Sequence, residues 1–283
     1  MIEPAITEAE YHKLRQELLA SPEKIIALEE KYMGFLQNVV ADAATRIYLD
    51  FSKAAALLPF WKNYPPIQRG RAPTGTSIPW SEVGETAIGA NILRALVLRD
   101  PNVTFPGLPS GADIRFATPD ALIHFDVKVT GPNDRADEVV ASPNQISGDG
   151  VKWNDGVVNS PVSVSGDRAT MIFQPELPPF YIIEQEVILC LTYFLKGVYE
   201  VEGLGHQPLT KLELISVPNG LLAFDSLQYG SRRGLFIPGK DEKNHPKKRV
   251  RVRMIPLSGI ASWRRVTVWE REPPLTTLPL FDT

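Results

Sequence analysis

The chain has 283 residues, 43% hydrophobic and 22% charged, with a net charge of −3. That is enough apolar material for a full core, and it excludes a disordered or fibrous chain. A single cysteine, Cys190, excludes an internal disulfide framework and a cysteine-rich zinc site. The opening MIEPAITEAE has no basic-then-apolar leader pattern, and apolar runs reach only about nine residues, so a soluble, cytoplasmic protein away from membranes is expected.

The first 58 residues read as helical, because apolar side chains recur three and four apart in EAEYHKLRQELLA and in the long run beginning SPEKIIALEE. Ser21 is a candidate N-cap, with Pro22 at the first helical position. This helical N-terminal segment is expected to serve packing or subunit contact. Residues 59–80, rich in Pro and Gly, read as a loop, and SEVGETAIGANILRALVLR as a helix with Glu82 and Glu85 in its first turn. The helix dipole favours acids there.

From residue 103 the pattern turns to short strands: DIRFAT, ALIHFDVKV, ATMIF, VILCLTYFL, LTKLELISV, LLAFDSLQY, GLFIP and KRVRVRMI. Helices followed mostly by strands predict an α/β (α+β mixed) fold, a central mixed sheet flanked by helices in one domain. Cys190, inside VILCLTYFL, is expected to be a buried core thiol.

The alternation in FDVKVT predicts a half-buried strand, with Phe125, Val127 and Val129 on one face and Asp126, Lys128 and Thr130 on the other. An acid two residues before a lysine also occurs at Glu29-Glu30-Lys31 and Asp241-Glu242-Lys243, so the tripeptide alone decides nothing. Only Asp126-Val127-Lys128 falls in a strand and follows another strand acid, Asp113, across the turn-forming ATPDAL. The pair is either a solvated ion pair or a metal-dependent nuclease centre. In the second case Asp113, Asp126 and a backbone carbonyl offer the oxygen ligands that Mg²⁺ prefers, and Lys128 supports the attacking water or the transition state. Glu82 or Glu85 would be a further acid.

Charge is unevenly spread. Residues 231–271 hold twelve Lys or Arg against three acids, a local excess of +9 in a chain whose remainder carries −12. Such a block suits a polyanion. In KKRVRVR, Arg249, Arg251 and Arg253 share a strand face with no compensating acid nearby in sequence, which reads either as a charge-protected edge strand or as a DNA-reading ribbon. Arginine forks pair with guanine and acids accept from cytosine, so the Lys, Arg, Asp and Glu set here suits G·C pairs.

Seven ordered motifs, PFWKNYPP, IPWSEVGE, LPSGAD, FDVKVTGPND, SPNQISGDG, SVPNGL and PGKDE…KKRVRV, resemble the BglI family of type II restriction endonucleases, within the PD-(D/E)XK nuclease superfamily. The resemblance implies a Mg²⁺-dependent homodimer that cuts double-stranded DNA at the interrupted palindrome GCCNNNNNGGC and leaves 3′ overhangs of three nucleotides. Asp113, Asp126 and Lys128 fall on its catalytic positions, the two acids as metal ligands helped by Val127. Asp134, Lys240, Glu242, Arg249 and Arg251 fall on its DNA-binding positions. Two departures are visible: Ala112 stands where proline is usual, and the loop from Glu242 to Arg249 is short. The implied organisation is one endonuclease domain: the helical segment 1–58, a helix and catalytic hairpin at 81–130, and a DNA-reading region at 231–271. Two rival readings are a non-catalytic sequence-specific DNA-binding protein and a nonspecific repair nuclease.

Overall fold

The structure, a computed structural model, describes residues 6–61, 80–107, 111–167, 169–225, 234–239 and 248–272. Helix α1 spans Glu8–Ala20, α2 Pro22–Trp61 and α3 Trp80–Arg99. There follow β1 (Ile114–Ala117), β2 (Ala121–Thr130), β3 (Glu138–Ala141), β4 (Lys152–Trp153), β5 (Val157–Val158), β6 (Val162–Ser165), β7 (Thr170–Phe173), β8 (Phe180–Ile183), β9 (Glu186–Tyr199), β10 (Leu209–Val217), β11 (Phe236–Pro238) and β12 (Val250–Arg253). A short helix α4 (Met254–Ile260) and strand β13 (Arg265–Glu270) complete the order. No described helix is long and apolar enough to cross a membrane.

The fold is the mixed α/β arrangement expected. The main sheet runs β1-β2-β9-β10-β13, with β8 also paired to β9. β2 and β9 are parallel and the other pairs antiparallel. A parallel pair needs a long crossover. Here residues 131–185 supply it, and they carry β3, which pairs with β12 in a second sheet ordered β11-β12-β3.

The two faces of the main sheet bury different partners. Ile123, Phe125, Val127, Tyr193, Leu195, Leu212 and Leu214 pack against α2 and α3. The opposite residues Phe194, Ile215 and Val217 pack against Val139, Ala141, Val250, Val252 and Leu257 from the second sheet and α4. Gly84 allows the first turn of α3 to close on β2, since a Cβ there would fall 1.8 Å from the Val129 side chain. Fully burying side chains of this size contributes roughly 1.5–3 kcal/mol each, so both layers hold the sheet.

Four expectations need correction. The strand at 121–130 is not half-buried: residues 121–127 are buried on both faces, because the crossover and second sheet cover the polar side. The loop expected from residue 59 begins later, since α2 continues through Pro59 to Trp61. LLAFDSLQY is not a strand where described: Leu221–Asp225 is a helical turn. Asn219 starts that turn, its side chain accepting the Leu221 N–H at 3.0 Å and its carbonyl accepting the Leu222 and Ala223 N–H groups at 2.9 Å. Local side-chain bonding of this kind favours turns over strands. Finally, β12 is the middle strand of its sheet, not an edge.

Candidate active site and DNA interface

The antiparallel hairpin β1–β2 pairs Ile114 with Phe125, so the register carried one residue further sets Asp113 opposite Asp126. Asp113 is exposed and its Oδ2 accepts the Val127 N–H at 2.7 Å. In an extended strand the N–H and C=O of one residue project to the same side. The Val127 carbonyl therefore projects toward Asp113 as well.

Asp126 is 2% exposed. A buried carboxylate is costly unless paired and hydrogen-bonded. Two groups meet that need: Lys128 Nζ lies 2.5 Å from Oδ2, and Gln145 Nε2 donates to Oδ1 at 2.6 Å. Lys128 is partly exposed, and its ammonium sits 5.7 Å from the centre of the Phe194 ring. The hairpin thus assembles Asp113, Asp126 and Lys128 in one place.

The donor set fits a hard divalent cation. Two carboxylates and one peptide carbonyl are oxygen ligands, and Mg²⁺ is commonly held by one or two carboxylates while retaining waters. No group of three His, Cys, Asp or Glu side chains capable of holding a metal occurs among the described residues. The side chains of Glu82 and Glu85 lie outside the described residues.

The other tripeptides have different settings. Glu29 is buried and its Oε2 lies 2.5 Å from Arg264 Nη2, while Lys31 pairs with Asp120 on the β1–β2 turn at 2.5 Å. Asp241-Glu242-Lys243 lies outside the described residues. Cys190 is fully buried, as expected of a core thiol, and burial pushes its pKa up to about 12.

Of the expected DNA-binding residues, Lys240 and Glu242 lie outside the described residues. Asp134 is exposed on the turn after β2, where its Oδ2 accepts the Gly131 N–H at 3.0 Å. Arg249 precedes β12, and its carbonyl accepts the Gly239 N–H at 3.0 Å. Arg251 is not an uncompensated cation: its Nη1 lies 3.1 Å from Glu138 on β3, and Arg135 meets the same carboxylate at 2.9 Å. The compensating acid was invisible in KKRVRVR because it arrives from another strand.

Two further residues join these regions. Lys196, on β9 in register with Lys128, is buried and donates to the carbonyls of Arg135 and Glu138 at 3.2 Å, and to that of Ala136. Desolvation lowers its pKa, opposed by Glu213, Asp137 and Asp134. Lys196 therefore ties the segment following Asp134 to the main sheet. Sequence reading missed Lys196, although a lone lysine inside the apolar run of β9 is a signal for it. Gln145 was likewise missed as a site residue, although the S-x-x-Q spacing of Ser142 and Gln145 is a recognisable turn signature.

Comparisons with known proteins identify the family and the fold. The family model described as restriction endonuclease BglI matches residues 7–268. The chain is 36% identical over 268 residues to the type II restriction enzyme BglI of Bacillus subtilis, covering 86% of this chain and 90% of that one. It superposes on the crystal structure of BglI bound to its DNA recognition sequence with a TM-score of 0.80 and 35% identity, covering 91% of this chain and 94% of that one. The tetrameric endonuclease SfiI bound to cognate DNA shares the fold alone, with a TM-score of 0.59 and 12% identity over 89% of this chain and 86% of that one.

Proposed function

Because this chain belongs to the BglI family of type II restriction endonucleases, we propose that it cuts double-stranded DNA as a Mg²⁺-dependent homodimer, with Asp113, Asp126 and Lys128 at the cutting centre. The target proposed is GCCNNNNNGGC, cut to leave 3′ overhangs of three nucleotides, by one endonuclease domain. The observation that carries this reading is the hairpin register setting Asp113 opposite Asp126, with Lys128 at 2.5 Å from the second acid.

Each residue has a separate task. Asp113 and Asp126 hold the cation with the Val127 carbonyl. The bound ion supplies Lewis-acid polarisation of the scissile phosphate. Lys128, two residues from Asp126 on the same strand face, orients the attacking water and offsets charge growing on the phosphate oxygens. Hydrolysis then proceeds by in-line displacement without a covalent enzyme intermediate. Asp134, Lys240, Glu242, Arg249 and Arg251 read or hold the DNA. For Arg251 this requires its guanidinium to exchange Glu138 for DNA or to address both at once.

Incubation of the purified protein with plasmid, with Mg²⁺ and then with EDTA, tests the reading. Discrete fragments that appear only with Mg²⁺, and whose sequenced ends carry the expected overhang, are the predicted result. Retarded but intact plasmid would identify a non-catalytic binder. A smear would identify a nonspecific nuclease.

A further inference from the structure

Gln145 lies between the two chain segments that carry the acids and is 5% exposed. Its Nε2 donates to Asp126 Oδ1 at 2.6 Å and to the Gly111 carbonyl at 2.9 Å, while its Oε1 accepts the Ser142 N–H at 2.9 Å. A primary amide has two donor hydrogens at one end and an acceptor at the other. Here Ser142 engages the acceptor and Gly111 engages one hydrogen, so the end that faces Asp126 is the donor.

The backbone of the same turn is also fastened. The Gln145 carbonyl accepts from Thr192 Oγ1 on β9 at 3.0 Å. The Gly111 N–H donates to the Asn144 carbonyl at 3.1 Å, and a Cβ at Gly111 would fall 2.2 Å from Asn144 Oδ1. The turn at 142–146 therefore touches the strand after the crossover, the approach to Asp113, and Asp126 itself.

We propose that Gln145 is a positioning residue for the metal-holding carboxylates: its amide fixes Asp126 and ties it to the backbone two residues before Asp113, thereby setting the gap between the two acids. The inference rests on the nuclease reading above. A neutral donor suits the task. It orients Asp126 without cancelling the negative charge a cation needs, and a carboxylate oxygen that accepts one hydrogen bond keeps another lone pair for the ion. A cationic side chain in its place would compete with the metal, and an acidic one would repel Asp126.

The test compares wild type with Gln145→Met, which keeps the length and removes the donor. Mn²⁺ binding is followed by electron paramagnetic resonance, with the protein alone and on plasmid DNA, beside the Mg²⁺ concentration needed for half-maximal cleavage. Mn²⁺ affinity should fall at least fivefold and the Mg²⁺ requirement rise by a similar factor, with DNA retention in EDTA unchanged. A second variant, Ser142→Pro, removes the N–H that holds the amide while suiting the Ser142 φ of −86°. It should weaken Mn²⁺ binding at least twofold, and it decides the matter if Gln145→Met does not fold. Unchanged Mn²⁺ affinity in the folded variants would overturn the proposal, even if thermal stability fell. A wild-type protein that neither binds Mn²⁺ nor cuts would instead overturn the nuclease reading.

Discussion

The Asp113 carboxylate accepts the Val127 amide proton at 2.7 Å, which fastens an acid from one arm of a hairpin to the backbone between Asp126 and Lys128 on the other. β1 begins only at Ile114, so a side chain takes the place that a backbone carbonyl would fill had the strand continued. The bond holds Asp113 beside the second acid without a charge of its own.

Asp126→Asn keeps the shape of that side chain and removes its charge. Cleavage should fall on the order of a thousandfold, as when one preorganised electrostatic group is lost from an active site. Plasmid retention without metal should be unchanged. Plasmid digestion beside a gel-shift assay checks both, and near-normal cutting would remove Asp126 from the centre.

Arg251 is 13% exposed and shares Glu138 with Arg135. If it reads a base, Arg251→Ala should relax discrimination at one position of the target by roughly 1–3 kcal/mol. If it holds a phosphate, binding should weaken across all sequences and the salt slope should drop by about one unit. Affinity measured against salt and against single-base variants distinguishes the two. Unchanged affinity would leave Arg251 the purely structural task of joining β12 to β3.

The ion pair of Glu29 and Arg264 is fully buried, and Glu29 Oε1 also accepts the Asn219 N–H at 2.5 Å. Breaking such a pair leaves an uncompensated charge in the interior and typically costs about 3–5 kcal/mol. Glu29→Gln should lower stability to unfolding by about that amount, read from denaturant midpoints. Replacing both residues by apolar ones of similar volume should cost less than the single change.

The Cys190 thiol, pushed up to about 12 from its ordinary value near 9 by burial, should make stability fall at alkaline pH. The sign follows from proton counting: between those values the unfolded chain loses the proton while the folded one keeps it, so rising pH favours unfolding. By pH 10 the thiol alone should account for about 1.4 kcal/mol. Unfolding curves at pH 8 and 10 should therefore diverge less for Cys190→Ala than for wild type. The native thiol should also resist modification at neutral pH.

The hairpin was legible in the sequence because its information is local. Phe125, Val127 and Val129 alternate with Asp126, Lys128 and Thr130, and Pro119-Asp120 marks the reversal, so strand, turn and the opposition of residues 113 and 126 could be read along the chain. What covers Asp126 could not, since β3 and β12 meet across more than a hundred residues and their pairing depends on tertiary packing. For the same reason Glu138 was not visible as the partner of Arg251, nor Gln145 as the anchor of Asp126. LLAFD misled because its apolar run suits either a strand or a helical turn, and Asn219 decides between them through hydrogen bonds that composition does not encode.

The parallel pairing of β2 with β9 builds the region around Asp126 from contacts of different reach along the chain. The hairpin that joins Asp113 to Asp126 closes over a handful of residues, whereas the glutamine that meets Asp126 is delivered by the crossover, residues 131–185. The acids are therefore joined by a local contact, while Gln145 reaches them through the same segment that carries β3. A change anywhere in that segment can thus reach both the carboxylates and the second sheet, through Gln145 on one side and β3 on the other.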